Sequence, residues 1–210
     1  MKQRLLNHWR RIGLIWDEKA LTAFKAVKRE DFVLKDYVKV AYDDRALPIN
    51  AAQTISQPTT VMIMTQALEV KPGQKILEIG TGSGYQAAIL SKIVGKSGKV
   101  YSLELIPELA EFAKSNLAKA KINNVEVICM DGSQGLPEKG PYDRIIVTAA
   151  MPKITKHLLN QLKYKAVMVA PVGSLFTQEM LKISKDGKKL KVKELGYFMF
   201  VPLKGKTGFK

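Results

Sequence analysis

The sequence predicts an α/β protein with a mostly parallel, doubly wound sheet and antiparallel strands at one edge, and three observations carry that expectation. From residue 74 onward, short apolar runs alternate with amphipathic stretches of about 10–15 residues, the pattern of βαβ units and a mostly parallel, doubly wound sheet. A glycine-rich loop, Gly80-Thr81-Gly82-Ser83-Gly84, stands between the first such run and the stretch that follows it. Near the end the pattern changes. EMLKIS (179–184), KLKVKEL (189–195) and YFMFVPL (197–203) succeed one another with no helical stretch between them, which predicts antiparallel strands added at one sheet edge.

Residues 2–12 and 18–28 read as short amphipathic helices, with Leu5, Leu6, Trp9 and Ile12, then Leu21, Phe24 and Val27, at spacings of three and four. Residues 42–58 are irregular, punctuated by Pro48 and Pro58. Pro58 suits a first helical position and opens a helix that stops before Lys71-Pro72-Gly73. Then KILEIG (75–80) predicts a strand, residues 85–94 a helix, KVYSLE (99–104) a strand and residues 107–121 a helix. VEVICM (125–130) and DRIIVTAA (143–150) predict strands, residues 155–162 a helix and AVMVAPVG (166–173) a strand. The expectation is one domain over residues 1–210. Residues 1–57 supply N-terminal helices and a lid, 58–173 a cofactor-binding core, and 174–210 the antiparallel strands.

Composition narrows the class. At 210 residues and 46% apolar, the chain can bury about 70% of its unfolded surface without staples. One cysteine, Cys129, excludes an internal disulfide and a cysteine-based zinc site, which suits a reducing cytoplasm. No apolar run approaches the roughly 20 residues of a membrane span, and charges run through the first residues where a signal peptide would be apolar. A soluble cytoplasmic protein is expected. The net charge of +15 sits mainly at the ends, +5 over residues 1–35 and +7 over residues 182–210. Lysine makes up 28 of the 34 basic residues and no aromatic-interleaved basic motif occurs, so a solvated surface is expected in preference to a nucleic-acid footprint.

The glycine loop lies where backbone must approach a ligand at the carboxyl edge of the sheet. Its spacing is GxGxG, with Tyr85 where the dinucleotide fingerprint would place its last glycine. Glu78, two residues before Gly80, would repel a pyrophosphate in that crevice. Glu104 ends the next strand, 24 residues beyond Gly80, where a carboxylate can accept from both ribose hydroxyls. Acids without a phosphate-binding Lys or Arg suit a ligand with a ribose and a positive charge, as in S-adenosylmethionine. Asp131, ending the third strand in MDGSQG, is expected near the adenine amino group.

The chemistry is narrowed by what is missing. His8 and His157 are expected on the surface or in packing, and Cys129 is expected as a small buried hydrophobe within its strand. VTAAMP (147–152) is not the Asn/Asp-Pro-Pro-aromatic turn of amide- or adenine-nitrogen methyltransferases. With no evident general base, an acceptor already ionised at neutral pH is favoured, and a carboxylate is one.

ALPINAAQTISQP (46–58), EIGTGSGYQAA, MDGSQG, PYDRIIVTAA, VMVAPVG and FVPL, in that order, resemble the protein-L-isoaspartate (D-aspartate) O-methyltransferase family over roughly residues 5–203. The resemblance implies the Rossmann-like class I S-adenosylmethionine-dependent methyltransferase fold, and methyl transfer from S-adenosylmethionine, leaving S-adenosylhomocysteine, to the free α-carboxylate of L-isoaspartyl residues and less well to D-aspartyl residues. The ester then closes to a succinimide, part of which reopens to aspartate, so the outcome is protein repair. It carries an active-site serine onto Ser56, with Gln53, Thr54 and Ile55 in a lid. The expected cofactor set is Thr54, Ile55, Glu78, Gly80, Thr81, Gly82, Ser83, Gly84, Glu104, Asp131 and Gly132. The expected substrate side is Ile55, Ser56, Thr148 and Ala149, and no metal is expected. Partners are isoaspartyl proteins and peptides, without membrane or nucleic acid, met by a monomer. The chain departs from the family pattern at Ala51, Ala52, Met130, Lys165 and Ala166, where glycines are usual, which bears on lid mobility and peptide acceptance. Two other readings stay open here: an RNA or small-molecule methyltransferase on the same scaffold, and a basic nucleic-acid-binding module with an inert cofactor fold.

Overall fold

The computed structural model describes residues 1–210. It begins with α1 (Lys2–Arg11), α2 (Glu18–Ala26), a small hairpin of β1 (Leu47–Pro48) and β2 (Thr54–Ile55), and α3 (Pro58–Ala67). The alternating part follows as β3 (Lys75–Ile79), α4 (Tyr85–Val94), β4 (Lys99–Glu104), α5 (Pro107–Lys119), β5 (Val125–Cys129), β6 (Tyr142–Val147), α6 (Lys156–Asn160) and β7 (Leu162–Gly173). Two long strands, β8 (Gln178–Asp186) and β9 (Lys189–Phe198), end it.

Seven strands form one sheet in the order β5-β4-β3-β6-β7-β8-β9, parallel from β5 to β7 and antiparallel from β7 to β9. The chain leaves β3 toward β4 and β5, then crosses back to lay β6 on the other side of β3. That reversal opens a crevice at the carboxyl ends of β3 and β6. The central strands read as apolar runs because both faces are covered, with Ile76, Leu77, Val100, Leu103, Ile145, Ile146, Met168 and Val169 all buried. One face carries an aromatic cluster in which Trp9 meets Phe24 at 4.8 Å and Phe32 meets Tyr85 at 5.5 Å. The other carries a smaller core around Leu77, Ile145, Leu158 and Met168.

A polar chain anchors α1 to the start of α3. Trp9 Nε1 donates to Thr59 Oγ1 at 2.7 Å, and the Thr59 hydroxyl and backbone N–H both donate to the Asp44 carboxylate at 2.6 and 2.9 Å. Thr59 lies three residues beyond Ser56. The N-terminal helices therefore hold the segment that roofs the crevice.

Two expectations need correction. Residues 197–203 do not form a third added strand. Residues 189–198 run through Gly196 as one strand, and residues 199–203 leave the sheet to lie beside the loop after β6, where Ala150 N–H donates to Val201 O and Leu203 N–H donates to Ala150 O, both at 2.8 Å. Pro202, lacking an N–H, cannot serve an interior ladder. Cys129 is exposed, not buried, because it is the last residue of β5, which is the sheet edge and pairs with β4 alone.

The β1–β2 turn is strained by its composition. Ala51 and Ala52 adopt φ of 55° and 54° between Asn50 and Gln53, whose N–H donates to Asn50 O at 3.1 Å. Two left-handed central residues are what a type I′ turn demands, and glycine meets that demand without steric cost. Ala51→Gly with Ala52→Gly is therefore expected to raise stability by about 1 kcal/mol, strain relief outweighing the added freedom of the unfolded chain. Thermal unfolding reads the effect, and a lower melting temperature in the double variant would contradict it.

Candidate functional site

The crevice is walled by the loop after β3, the ends of β4 and β6, the first turn of α4 and residues 201–204, and it is roofed by residues 53–56. Gly80, the first residue after β3, has φ of +97°, and a Cβ there would lie 2.5 Å from Thr148 Oγ1. Only glycine lets the loop pass so near the end of β6. The Thr148 hydroxyl donates back to the Gly80 carbonyl and, at 3.1 Å, to that of Ile79. Thr81, Gly82 and Ser83 continue the wall. Gly84 does not reach it. A Cβ there would meet Ala113 of α5 at 3.3 Å, so this glycine serves helix packing at the start of α4.

Glu104 stands at the crevice as expected. Its Oε2 accepts from Gly82 N–H at 2.8 Å and its Oε1 from Ile106 N–H at 3.0 Å. One carboxylate thus joins the glycine loop to the start of α5, and each oxygen retains lone-pair capacity for a ligand hydroxyl.

Glu78 lies a layer deeper than expected. Strand alternation turns it, like Ile76, under the glycine loop toward the helical layer, fully buried and outside the crevice wall. Its Oε2 accepts from Ser102 Oγ, whose oxygen is 2.6 Å from Thr81 Oγ1, while Oε1 has no partner. Burial pushes the Glu78 carboxyl up to about 8. The Ser102 hydrogen bond opposes that rise and the Glu104 charge adds to it. At neutral pH Glu78 is therefore mainly neutral, and the negative charge of the crevice rests on Glu104.

Asp131 also departs from expectation. Its carboxylate turns away from the crevice and accepts backbone N–H groups from Ser133 at 2.8 Å and Lys206 at 2.9 Å, so that it ties down the C-terminal segment. Burial alone would raise its pKa. The hydrogen bonds from Lys206 and Ser133 outweigh burial and hold it below the usual range. Its neighbour Gly132 does line the crevice.

Over the opening, Thr54, Ile55 and Ser56 line the roof while Thr148 and Ala149 line the opposite wall. Gln57, not Ser56, stands at the cap position of α3, and the side chain that bonds this helix end is that of Asp44, through the Thr59 N–H, so the Ser56 hydroxyl has no part in capping. His8 and His157 are exposed, and neither lines the crevice. Several lining residues escaped the sequence reading: Tyr85 and Gln86 on α4, Leu105, Ile106 and Leu109 around the start of α5, and Val201 to Lys204. The signal for the second group was the apolar pair directly after Glu104. For the first it was the two large side chains following Gly84. No group of three His, Cys, Asp or Glu side chains comes together that could hold a metal ion.

The folded state keeps a proton on Glu78 that the unfolded chain releases near pH 4.5, so stability falls as pH rises from about 5 to 8 and this contribution then levels off. Glu78→Gln is expected to flatten that decline in melting temperatures taken across the range. An unchanged slope would mean that the carboxyl is ionised in the folded protein.

The sequence profile of the protein-L-isoaspartate(D-aspartate) O-methyltransferase family, PCMT, matches residues 1–208. The chain is 49% identical to the protein-L-isoaspartate O-methyltransferase of Staphylothermus marinus, with 100% of this chain and 96% of that protein covered. It is 47% identical to the protein of the same name from Pyrococcus horikoshii, over 100% of this chain and 98% of the relative. Among solved structures, a Plasmodium falciparum PCMT in complex with S-adenosyl-L-homocysteine matches with a TM-score of 0.83 at 25% identity, over 96% of this chain and 97% of the other. The glycine loop closed by Glu104, the QTIS roof and a profile that runs nearly end to end lead to one assignment: the chain belongs to the protein-L-isoaspartate(D-aspartate) O-methyltransferase family.

Proposed function

We propose that the protein methylates the free α-carboxylate of L-isoaspartyl residues in damaged proteins and peptides, and less efficiently D-aspartyl residues, with S-adenosylmethionine as donor. The observation that carries this reading is the absence of a usable base among the crevice residues. The lining holds hydroxyls, the amides of Gln53 and Gln86, apolar groups and two charges, Glu104 and Lys204, with no histidine or cysteine. Both oxygens of Glu104 already accept backbone N–H groups. Burial holds the Tyr85 phenol well above its ordinary range, so it stays protonated. A hydroxyl or amide acceptor would need a base in this position, whereas a carboxylate is ionised at neutral pH.

The residues present fit the donor. The glycine cradle leaves no room for a Cβ at Gly80, and Glu104 offers acceptor capacity to a ribose diol. When bound, S-adenosylmethionine supplies a methyl group on a sulfonium that a carboxylate oxygen accepts without losing a proton, leaving S-adenosylhomocysteine. Thr54, Ile55, Gly80, Thr81, Gly82, Ser83, Glu104 and Gly132 would form its walls. Glu78, Gly84 and Asp131 would act from behind them, through the Ser102–Thr81 hydroxyls, the α5 contact and the C-terminal segment. Ile55, Ser56, Thr148 and Ala149 would face the substrate, with the free Ser56 hydroxyl donating to its carboxylate and setting its approach. Ile55, Leu203 and the other apolar lining residues exclude water there, and placement with dehydration supplies several kcal/mol of the barrier.

The chain is inferred to work as one unit, a monomer in the cytoplasm, with residues 1–57 as support and lid, 58–173 as cofactor core and 174–210 as edge strands. No helix is long and apolar enough to cross a membrane. Part of the basic charge has a structural use away from the crevice. Lys189, Lys191 and Lys193 lie on β9, the exposed outer strand, where lysines discourage edge-to-edge pairing. Nucleic acid is accordingly not proposed as a partner.

Methyl incorporation into a short isoaspartyl peptide, measured beside its normal aspartyl twin, is expected to be confined to the first. Equal or zero incorporation into both would reject the reading. Ser56→Ala is expected to retain S-adenosylhomocysteine binding while turnover falls by about 100-fold or more, the range of a lost positioning hydrogen bond in a dry site. Unchanged turnover would remove Ser56 from the substrate side.

A further inference from the structure

Large apolar side chains stand exposed at the same end of the sheet as the crevice. On the turn between β7 and β8, Phe176 is 80% exposed and Leu175 52%, and at the end of β9 Met199 is 81% and Tyr197 75% exposed. Both segments lie at the carboxyl edge, because β7 runs parallel to β6, and β9, antiparallel to β8, runs the same way as β7.

They are built, not loose. Ser174 Oγ accepts the N–H groups of Phe176 and Thr177, both at 3.2 Å, and Ser174 N–H donates to Thr177 O at 3.0 Å. The side chain of Gln178, fully buried, joins the two segments: its Nε2 donates to Ser174 O at 2.6 Å and its Oε1 accepts from Phe200 N–H at 2.8 Å. Phe198 and Phe200 turn inward against the core and pack on each other at 6.5 Å, which leaves Tyr197 and Met199 on the outer side. The buried Gln178 amide fixes two segments that each expose large apolar side chains, and apolar surface held out in this way marks a contact site.

The chain itself leads from this rim into the crevice. Residues 199–203 run along the loop after β6, and Val201, Pro202, Leu203 and Lys204 line the crevice wall. From Met199 to Lys204 is five residues, at most about 17 Å of extended chain. An extended polypeptide with one residue in the crevice would reach the rim with a side chain a few positions away.

We propose that Leu175, Phe176, Tyr197 and Met199 form an apolar docking rim for the substrate polypeptide, taking an apolar or aromatic side chain that lies within about five residues of the isoaspartate in the crevice. The proposal rests on the isoaspartyl reading above and adds a preference among isoaspartyl substrates. That preference is for damage in segments that carry apolar residues.

The test uses the full chain and three isoaspartyl peptides. One has only Gly and Ser flanks, and the others add two Phe residues three to five positions before or after the isoaspartate. Wild-type protein is expected to methylate at least one Phe-bearing peptide with a KM about ten-fold below that of the Gly/Ser peptide. Phe176→Ser with Met199→Ser should erase this difference, leaving kcat and the Gly/Ser peptide unaffected. Unaltered S-adenosylhomocysteine binding establishes that the variant is folded. Equal KM values for all three peptides with wild type, or a Phe advantage that survives in the double variant, would overturn the rim while leaving the isoaspartyl reading intact. No methylation of any of the three would overturn that reading and the rim with it. Sedimentation as a dimer that the double variant converts to monomer would assign the rim to a second copy of the chain and likewise overturn the proposal.

Discussion

The Glu104 carboxylate, held between the N–H groups of Gly82 and Ile106, is the interaction on which the site depends. It closes the glycine loop against the start of α5 and leaves a negative group facing the ligand space. A second carboxyl lies close beneath it, and two adjacent acids cannot both ionise cheaply in a buried setting. Burial settles the matter by keeping the proton on Glu78, which passes its hydrogen-bonding influence upward through Ser102 and Thr81. The crevice thus presents one carboxylate, in one place, beside the backbone of the glycine loop.

The roof depends on the N-terminal helices in a comparable way. Ser56 sits between a turn of two left-handed alanines and a helix start that Asp44 and Trp9 grip through Thr59. The Ser56 hydroxyl, which lines the crevice, makes no bond of its own to the fold. Its position is set by its neighbours. Support from α1, fifty residues away in sequence, ties this segment to the helices that precede the core.

The fold was largely legible because its signals are periodic. The five parallel strands follow from apolar runs separated mostly by amphipathic stretches. The strand order, with the reversal beside β3 that brings Gly80, Glu104 and Thr148 together, is a long-range feature that only the structure gives. Two of the misses share a cause: position along a strand was legible, but the direction of a side chain near its end was not. Glu78 and Asp131 both sit near strand ends, yet one turns under the loop and the other toward Lys206. Cys129 is exposed because β5 is an edge, a fact of sheet order that no local pattern contains. Residues 201–204 reach the crevice through pairing with Ala150, a long-range contact of backbone groups that leaves no periodic trace.

The family assignment rests on the profile and the relatives, and the chemistry proposed for the crevice rests on Glu104 serving as ligand acceptor. Titration calorimetry of S-adenosylhomocysteine against wild type and Glu104→Gln tests that most directly. The account requires the variant, folded by circular dichroism, to bind at least about ten-fold more weakly, a loss of about 1.4 kcal/mol or more. Equal affinity in a folded variant would contradict it.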